Sequence, residues 1–396
     1  MKKRYTISLL LKSEVGNINL VNVPGTEQIF IDDIHLLSKY FSVRPYARFT
    51  YHRSDTHIYK IYYPIFLYRV SFLFRQFRFF RWISYMIMFC ADIIYVLHFL
   101  IKNRSSDLYI GYSIPLLALL FPRKTIIIME NEQNFYGYRW LRRRYDQAVL
   151  LFCSYFLRNQ TIINYHSSDI KNYHVLYNAI DKRIFNPHHT ISIKQQPILR
   201  IAYCSAWVKE KGLDLVLDAC LSLPKDIKKS VRLTIASNPH LWYSDKTERR
   251  EIYQNEMYEK ISNLKNVSLL GGVSHLGMPE VYFSHHLVIV PSVWEEPFGM
   301  VVLESLSCGT RVIVSNVGGI HEIVDEKNSI LIKDINASKI RDCIVKLYTS
   351  KRYLTYSSDA SLLTTKNKEM DKDYRDKKLL SYIHQRLLVV NPRQIN

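Results

Sequence analysis

Apolar residues along this chain fall into short uninterrupted runs set between polar turns and stretches of helical spacing. Leu287–Val290, stopped by Pro291, is such a run, and Arg311–Ser315, Tyr5–Lys12, Lys124–Met129, Leu199–Cys204 and Arg232–Ala236 read the same way. A run without polar alternation marks a strand covered on both faces, as in a parallel sheet. Between the runs the spacing changes: Met300, Val301, Leu303 and Leu306 predict a helix that Gly309 can close in the left-handed conformation. Ile29, Ile31, Ile34, Leu36 and Leu37 predict another, and a charged helix is expected over Asp371–Leu388. Strands alternating with helices make this an α/β protein with parallel sheets.

The chain has 396 residues, more than the ~250–300 that one core holds. Two domains are therefore expected, at residues 1–190 and 191–368, with 369–396 a helix and tail. His188–Pro197 reads as the linker.

The longest apolar stretch, Trp82–Ile101, has the length of a membrane span, but Asp92 and His98 lie near its middle. Charge is costly in lipid, so a core helix is expected. Just upstream, Phe66–Trp82 interleaves aromatics with Arg69, Arg75, Arg78 and Arg81. This fits either a basic amphipathic surface in a membrane interface or a core helix with snorkelling arginines. A second basic cluster, Arg139 and Arg142–Arg144, reads equally as a solvated helix face.

Charge sharpens the picture. The net charge is +19, and residues 1–190 hold 25 Lys+Arg against 12 Asp+Glu, while residues 191–396 hold 29 against 23. Such a surface attracts anionic lipid, nucleic acid or phosphorylated substrates; without an RNA-binding motif, nucleic acid is set aside as a partner. The six cysteines are scattered without metal spacing, which points to a reducing cytoplasm and no metal site. Asp371-Lys372-Asp373 imitates a metal-binding pair but sits on the tail helix. At the start only Ile7–Leu11 is strongly apolar and no small-residue cleavage site follows, so a first strand is expected rather than a signal peptide.

Candidate chemistry centres on Ser292–Phe298, the loop between Leu287–Val290 and the next helix. Ligands of open parallel sheets sit beyond the carboxyl ends of the strands. There the amides of Phe298, Gly299 and Met300 open a helix N-terminus, which suits an anion. Glu304 lies about one turn inside the helix and leans back over the same place; Glu296 approaches from the loop. Two acids beside an anion-binding helix end suit a ligand with several hydroxyls and a phosphate.

Glu296-Pro-Phe-Gly-Met-Val-Val-Leu-Glu304 resembles the E-x7-E signature of the retaining glycosyltransferases of family 4, which have the GT-B fold. Flanking matches extend the resemblance: Asn178-Ala-Ile-Asp181 through Pro187, the Lys211-Gly turn, Asn266-Val through Val273, and Gly25-Thr26-Glu27-Gln28 near the start. The family has a second Gly where Pro24 stands, a Gly at Ala179, and often an Arg at Ala206. The resemblance implies two Rossmann-like domains facing across a cleft, the acceptor on the first and the nucleotide-sugar on the second, with the tail helix crossing back to the first. It implies that Glu296 holds sugar hydroxyls, Glu304 the ribose, and Lys211 the diphosphate, with Gly25, Thr26, Ser205, Val273, Phe298, Gly299, Met300 and Val301 completing the donor site. Many members place a histidine near the end of the Lys124–Met129 strand as a proposed acid/base or sugar contact, and Glu130 occupies the approximate position.

The implied reaction moves a hexose or N-acetylhexosamine from a nucleoside-diphosphate sugar, with UDP-sugar favoured and GDP-sugar possible, to a glycan hydroxyl with retained configuration. No further cofactor and no metal are expected. The acceptor is expected to be a cell-envelope glycan such as lipopolysaccharide core or lipid-linked polysaccharide, and the enzyme peripheral on the inner face of the cytoplasmic membrane. A nucleotide-sugar hydrolase or epimerase of the same fold, an inactive binding module, and a nucleic-acid-binding protein stand as the alternatives.

Overall fold

The computed structural model describes the chain except residues 1–4, 13–24, 48–50, 54–55, 62–65, 68–69, 71–80, 134, 136–137, 167–169, 187–197, 238–247, 356–364 and 392–396. Pro24, the linker, most of the stretch upstream of Trp82 and the first part of the polar segment after Ser237 thus lie outside the described residues.

Two compact units are present. The first comprises mainly residues up to Leu176 together with Asp376–Asn396; the second comprises Tyr177–Arg375 and a short segment ending at Gly25. The division thus falls after Leu176, earlier than the expected boundary at 190. Tertiary contacts explain the shift: the Tyr177 hydroxyl donates to Glu322 at 2.9 Å, Ile180 bridges to Asp371, and the Phe185 ring packs on His275. These partners all belong to the second unit, so the segment is bound to it well before the polar stretch begins.

In the first unit, β1 (Thr6–Leu11), β2 (Ser42–Ala47), β3 (Tyr51–Arg53), β4 (Thr56–Lys60), β5 (Leu108–Tyr112), β6 (Thr125–Met129), β7 (Val149–Phe152) and β8 (Tyr173–Val175) form one sheet. Their order is β3-β4-β2-β1-β5-β6-β7-β8, and only the β3/β4 pair is antiparallel. In the second, β9 (Leu199–Tyr203), β10 (Val231–Ile235), β11 (Val267–Leu269), β12 (Leu287–Val290), β13 (Arg311–Ser315) and β14 (Ser329–Ile332) pair in the order β11-β10-β9-β12-β13-β14, all parallel. Strand order reverses between β9 and β12, the point where such sheets bind ligands. Ile201, Leu233, Leu287, Ile289 and Ile313 form a core with Val216, Leu217, Ile340 and Ile344 from covering helices. This is the doubly wound architecture expected, and the chain has the GT-B fold.

The helix near the start runs Gly25–Ser38, so Gly25, Thr26 and Glu27 form its first turn rather than a preceding loop. The long apolar helix is Arg81–Lys102. Its Asp92 is buried and paired with Lys12 at 2.7 Å, while the Tyr95 hydroxyl donates to the Leu11 carbonyl. One face therefore packs on β1 as expected of a core helix. The opposite face is apolar and open: Trp82, Tyr85, Met86, Ile94, Leu97 and Ile101 are all exposed. The helix Lys372–Val390 carries Arg386, whose buried guanidinium donates to the carbonyls of Pro122 and Gln147 in the first unit. Asp371 caps that helix by accepting from the amides of Asp373 and Tyr374, and pairs with Lys182 at 2.9 Å. The Asp371-Lys-Asp373 triplet is thus a helix start.

Candidate functional site

Lys211 and Glu296 meet at the reversal point. Lys211 follows β9 and Glu296 follows β12, neighbouring strands whose carboxyl ends lie side by side. The chain turns after β9 through a short 3-10 helix, Lys209–Lys211, closed by Gly212 at φ 69°. A Cβ there would fall 2.3 Å from the Pro291 carbonyl, so glycine lets the Lys211 turn press against the end of β12. The Tyr203 hydroxyl donates to the carbonyls of Ala206 and Lys211 at 3.0 and 3.2 Å, tying the turn to β9.

Lys211 Nζ donates to both oxygens of Glu296, at 2.8 Å to Oε1 and 2.7 Å to Oε2. Both side chains are almost buried, at 11% and 12% exposure. Ser292 Oγ and Trp294 Nε1 add donors to Oε2 at 3.0 and 2.9 Å, and the Trp294 ring centroid lies 5.2 Å from Lys211 Nζ. The adjacent acid behaves differently. Glu295 is exposed and accepts from the Gly318 amide at 2.7 Å, while the Glu296 carbonyl accepts from the Gly319 amide at 2.7 Å. Gly318 sits at φ 56°, and a Cβ on it would lie 2.1 Å from the Glu296 carbonyl oxygen, which explains glycine there.

The helix Met300–Ser307 begins after Gly299, at φ 109°, and ends before the left-handed Gly309. Phe298 is buried and faces Tyr177, with ring centroids 6.0 Å apart, so a ligand can meet its backbone but not its ring. Met300 and Val301 are half-buried. Glu304 is buried within the helix; its Oε2 accepts from the Tyr282 hydroxyl at 2.6 Å, and its Oε1 lies 4.0 Å from His275 Nδ1. Burial pushes the Glu304 carboxyl up, while His275 and the Tyr282 hydrogen bond pull it back. Cys204, just beyond β9, has its thiol pushed up by burial and then by the Glu304 charge.

Ser205 is buried just beyond β9, and Val273 is half-buried in the loop after β11. Asn266 before that strand donates to the carbonyls of Val231 and Lys228, so its place is structural. The second unit thus brings together Ser205, Lys211, Glu296, Phe298, Gly299, Met300, Val301 and Glu304 around the ends of β9 and β12, with Val273 after β11. Thr26 and Glu130 belong to the first unit, while Gly25, which opens the helix Gly25–Ser38, groups with the second. Glu130 is buried at the end of β6, its amide near Ser113 Oγ at 3.4 Å. Trp294, Ser292, Tyr282 and His275 were missed by sequence reasoning. Their partners are visible only once β11, β12 and the following helix are brought together, although Ser292 and Trp294 did stand inside the singled-out loop.

Among the described residues, no three or more His, Cys, Asp or Glu side chains group as metal ligands. What the site offers is one cation, one carboxylate with capacity for hydroxyl donors, a second buried carboxylate, and a helix N-terminus. A phosphorylated polyol matches that set.

Residues 190–360 match the family model described as Glycosyl transferases group 1. An uncharacterized glycosyltransferase of Methanocaldococcus jannaschii is 25% identical over 259 residues, 64% of this chain and 62% of its own length. Lipopolysaccharide 1,2-N-acetylglucosaminetransferase of Salmonella typhimurium is 32% identical over 125 residues, 31% of this chain and 32% of its own. The chain therefore spans less than two thirds of the length of either relative. Among solved structures, Anabaena Alr3699/HepE in complex with UDP-glucose superposes with a TM-score of 0.65 at 14% identity, covering 96% of this chain and 99% of that one.

Proposed function

We propose that this chain, whose residues 190–360 match the family model described as Glycosyl transferases group 1, carries out a retaining transfer of a hexose or N-acetylhexosamine from a nucleoside-diphosphate sugar, UDP-sugar favoured, to a hydroxyl of a cell-envelope glycan. The observation that carries the reading is the Lys211–Glu296 pair at the reversal point of a parallel sheet. A cation and a hydroxyl acceptor 2.7 Å apart match a diphosphate joined to a sugar. Glu304, one turn inside the helix, suits the ribose hydroxyls.

In this reading the bond from the anomeric carbon to the phosphate oxygen breaks, and a bond to the acceptor oxygen forms on the same face. The electron pair leaves with the nucleoside diphosphate, and the acceptor proton passes to the departing phosphate oxygen. Lys211 and the amides of Gly299 and Met300 stabilise the charge that develops there, the kind of fixed electrostatic help that lowers a barrier most. With those groups in place the proposed reaction requires no metal or further cofactor. Glu130 serves as acid/base or sugar contact, and Gly25 and Thr26 as donor contacts.

The acceptor class rests on two supports. A lipopolysaccharide N-acetylglucosaminetransferase is among the relatives, and the helix Arg81–Lys102 leaves an apolar stripe exposed on a unit with excess positive charge. A bilayer with anionic headgroups suits both features, so the enzyme is proposed to work in the cytoplasm against the inner membrane face.

The test is thermal stabilisation by UDP, GDP and ADP, with and without a chelator, beside a Glu304→Ala variant. A ligand that binds only the folded state raises the melting temperature. A rise with one nucleotide, insensitive to chelator and reduced in Glu304→Ala, is expected. No rise with any of them in the folded protein would sink the reading.

A further inference from the structure

The Glu296 carboxylate is held on one side. Among the described residues, Oε2 accepts from three donors, Lys211 Nζ, Trp294 Nε1 and Ser292 Oγ, whereas Oε1 accepts from Lys211 alone. A carboxylate oxygen has about two lone-pair sites, so Oε2 is filled and Oε1 keeps room for one more donor. Trp294 is the side chain that touches both charges. Its N–H fixes Oε2 at 2.9 Å, and its ring lies 5.2 Å from the Lys211 ammonium, within cation–π range.

We propose that Trp294 is a positioning residue of the donor site: it turns Glu296 so that Oε1 presents its spare lone pair to a hydroxyl of the transferred sugar, and it keeps Lys211 beside that oxygen for the diphosphate. The inference rests on the nucleotide-sugar reading above. Three geometric facts carry it. The indole is half-buried and its N–H is spent on Glu296. Ser292, the other neutral donor, comes from the end of β12 and meets the same oxygen, so the two together define one orientation. The backbone around them is fixed by Glu295 to the Gly318 amide and by the Glu296 carbonyl to the Gly319 amide, so side-chain rotation is the freedom left for Trp294 to control.

The two functions of the ring separate by substitution. Trp294→Phe keeps an aromatic face for Lys211 and loses the N–H; Trp294→Leu loses both. A hydrogen bond to a charged group contributes ~1.5–3 kcal/mol, so releasing Glu296 is expected to weaken a sugar contact by roughly tenfold or more. Calorimetric titration of the full chain with UDP and GDP, and with their glucose, N-acetylglucosamine and mannose derivatives, reads this directly. In Trp294→Phe, affinity for the matching nucleoside diphosphate stays within about twofold, while affinity for its sugar derivative falls about tenfold. In Trp294→Leu both fall. Tryptophan emission gives a second readout: the change seen on adding the nucleotide-sugar to the native protein disappears in Trp294→Phe.

If Trp294→Phe binds both ligands as the native protein does, or loses equally for both, the positioning role is overturned while the donor site stands. If the native protein binds none of the nucleotides or their sugars, the donor-site reading falls and this inference falls with it.

Discussion

Replacing Lys211 by Met should cost more stability than replacing Lys211 and Glu296 together. Methionine keeps the apolar stem and removes the ammonium, so the Glu296 carboxylate, 12% exposed, loses a donor on each oxygen. Breaking a buried ion pair by removing one partner costs about 3–5 kcal/mol, because the remaining charge stays buried. Ser292 and Trp294 still satisfy Oε2, which places the expected loss at the low end, about 3 kcal/mol. For a unit of this size, one kcal/mol moves the midpoint by ~2–4 °C, so thermal unfolding should shift down by roughly 6–12 °C. Glu296→Gln, which leaves the ammonium facing a neutral amide, should cost about 2 kcal/mol. The double variant removes both charges, and Gln can still accept from Ser292 and Trp294; its loss should be about 2 kcal/mol, below that of Lys211→Met alone, with a coupling of about 3 kcal/mol. The measurement is calorimetric unfolding of all four proteins without nucleotide. A single-variant loss under about 1 kcal/mol, or a double-variant loss equal to the sum, would refute the buried-pair account.

Two further outcomes follow from the geometry. Burial raises the Glu304 carboxyl, so its contribution to stability is fullest below the unfolded-state pKa and is lost as pH rises through the folded one. Tyr282→Phe removes a donor to the ionised form and raises that carboxyl further, so the destabilisation it causes should grow as pH rises, and the acid limb of nucleotide binding should move to higher pH; matched pH titrations of melting and affinity check both. On the first unit, Met86→Glu with Leu97→Glu changes two exposed positions of one helix face, and should cut co-sedimentation with phosphatidylglycerol vesicles severalfold while leaving the melting temperature almost unmoved. Undiminished vesicle binding would remove that face from the proposal.

How much was legible in advance varied with the kind of interaction. β12 and β13 begin and end where the sequence places them, because four and three consecutive apolar residues, one run stopped by Pro291 and the other preceded by Gly309, leave little choice. The Arg81–Lys102 helix and the tail helix differ from expectation by one or two residues at their ends. Thr26 shows the opposite case. A Pro-Gly turn reads as a loop, yet the helix starts at Gly25, since proline before a helix and glycine at its start are both compatible with helical geometry once the helix packs.

Local pattern therefore determined the α/β alternation, the strands that end at the site, the two acids eight residues apart, and the glycines that let backbone come close. Tertiary structure alone decided which of these groups meet. Lys211 and Glu296 are 85 residues apart and pair because β9 and β12 are neighbours, a consequence of sheet order that no periodicity encodes. The same holds for Asp92, whose charge in an apolar helix is matched by Lys12, just after β1 and 80 residues earlier. It holds too for the boundary after Leu176, set by what Tyr177, Ile180 and Phe185 touch. Periodicity reports the face a residue turns to its own element's core, and the identity of the partner on that face depends on packing between elements distant in sequence.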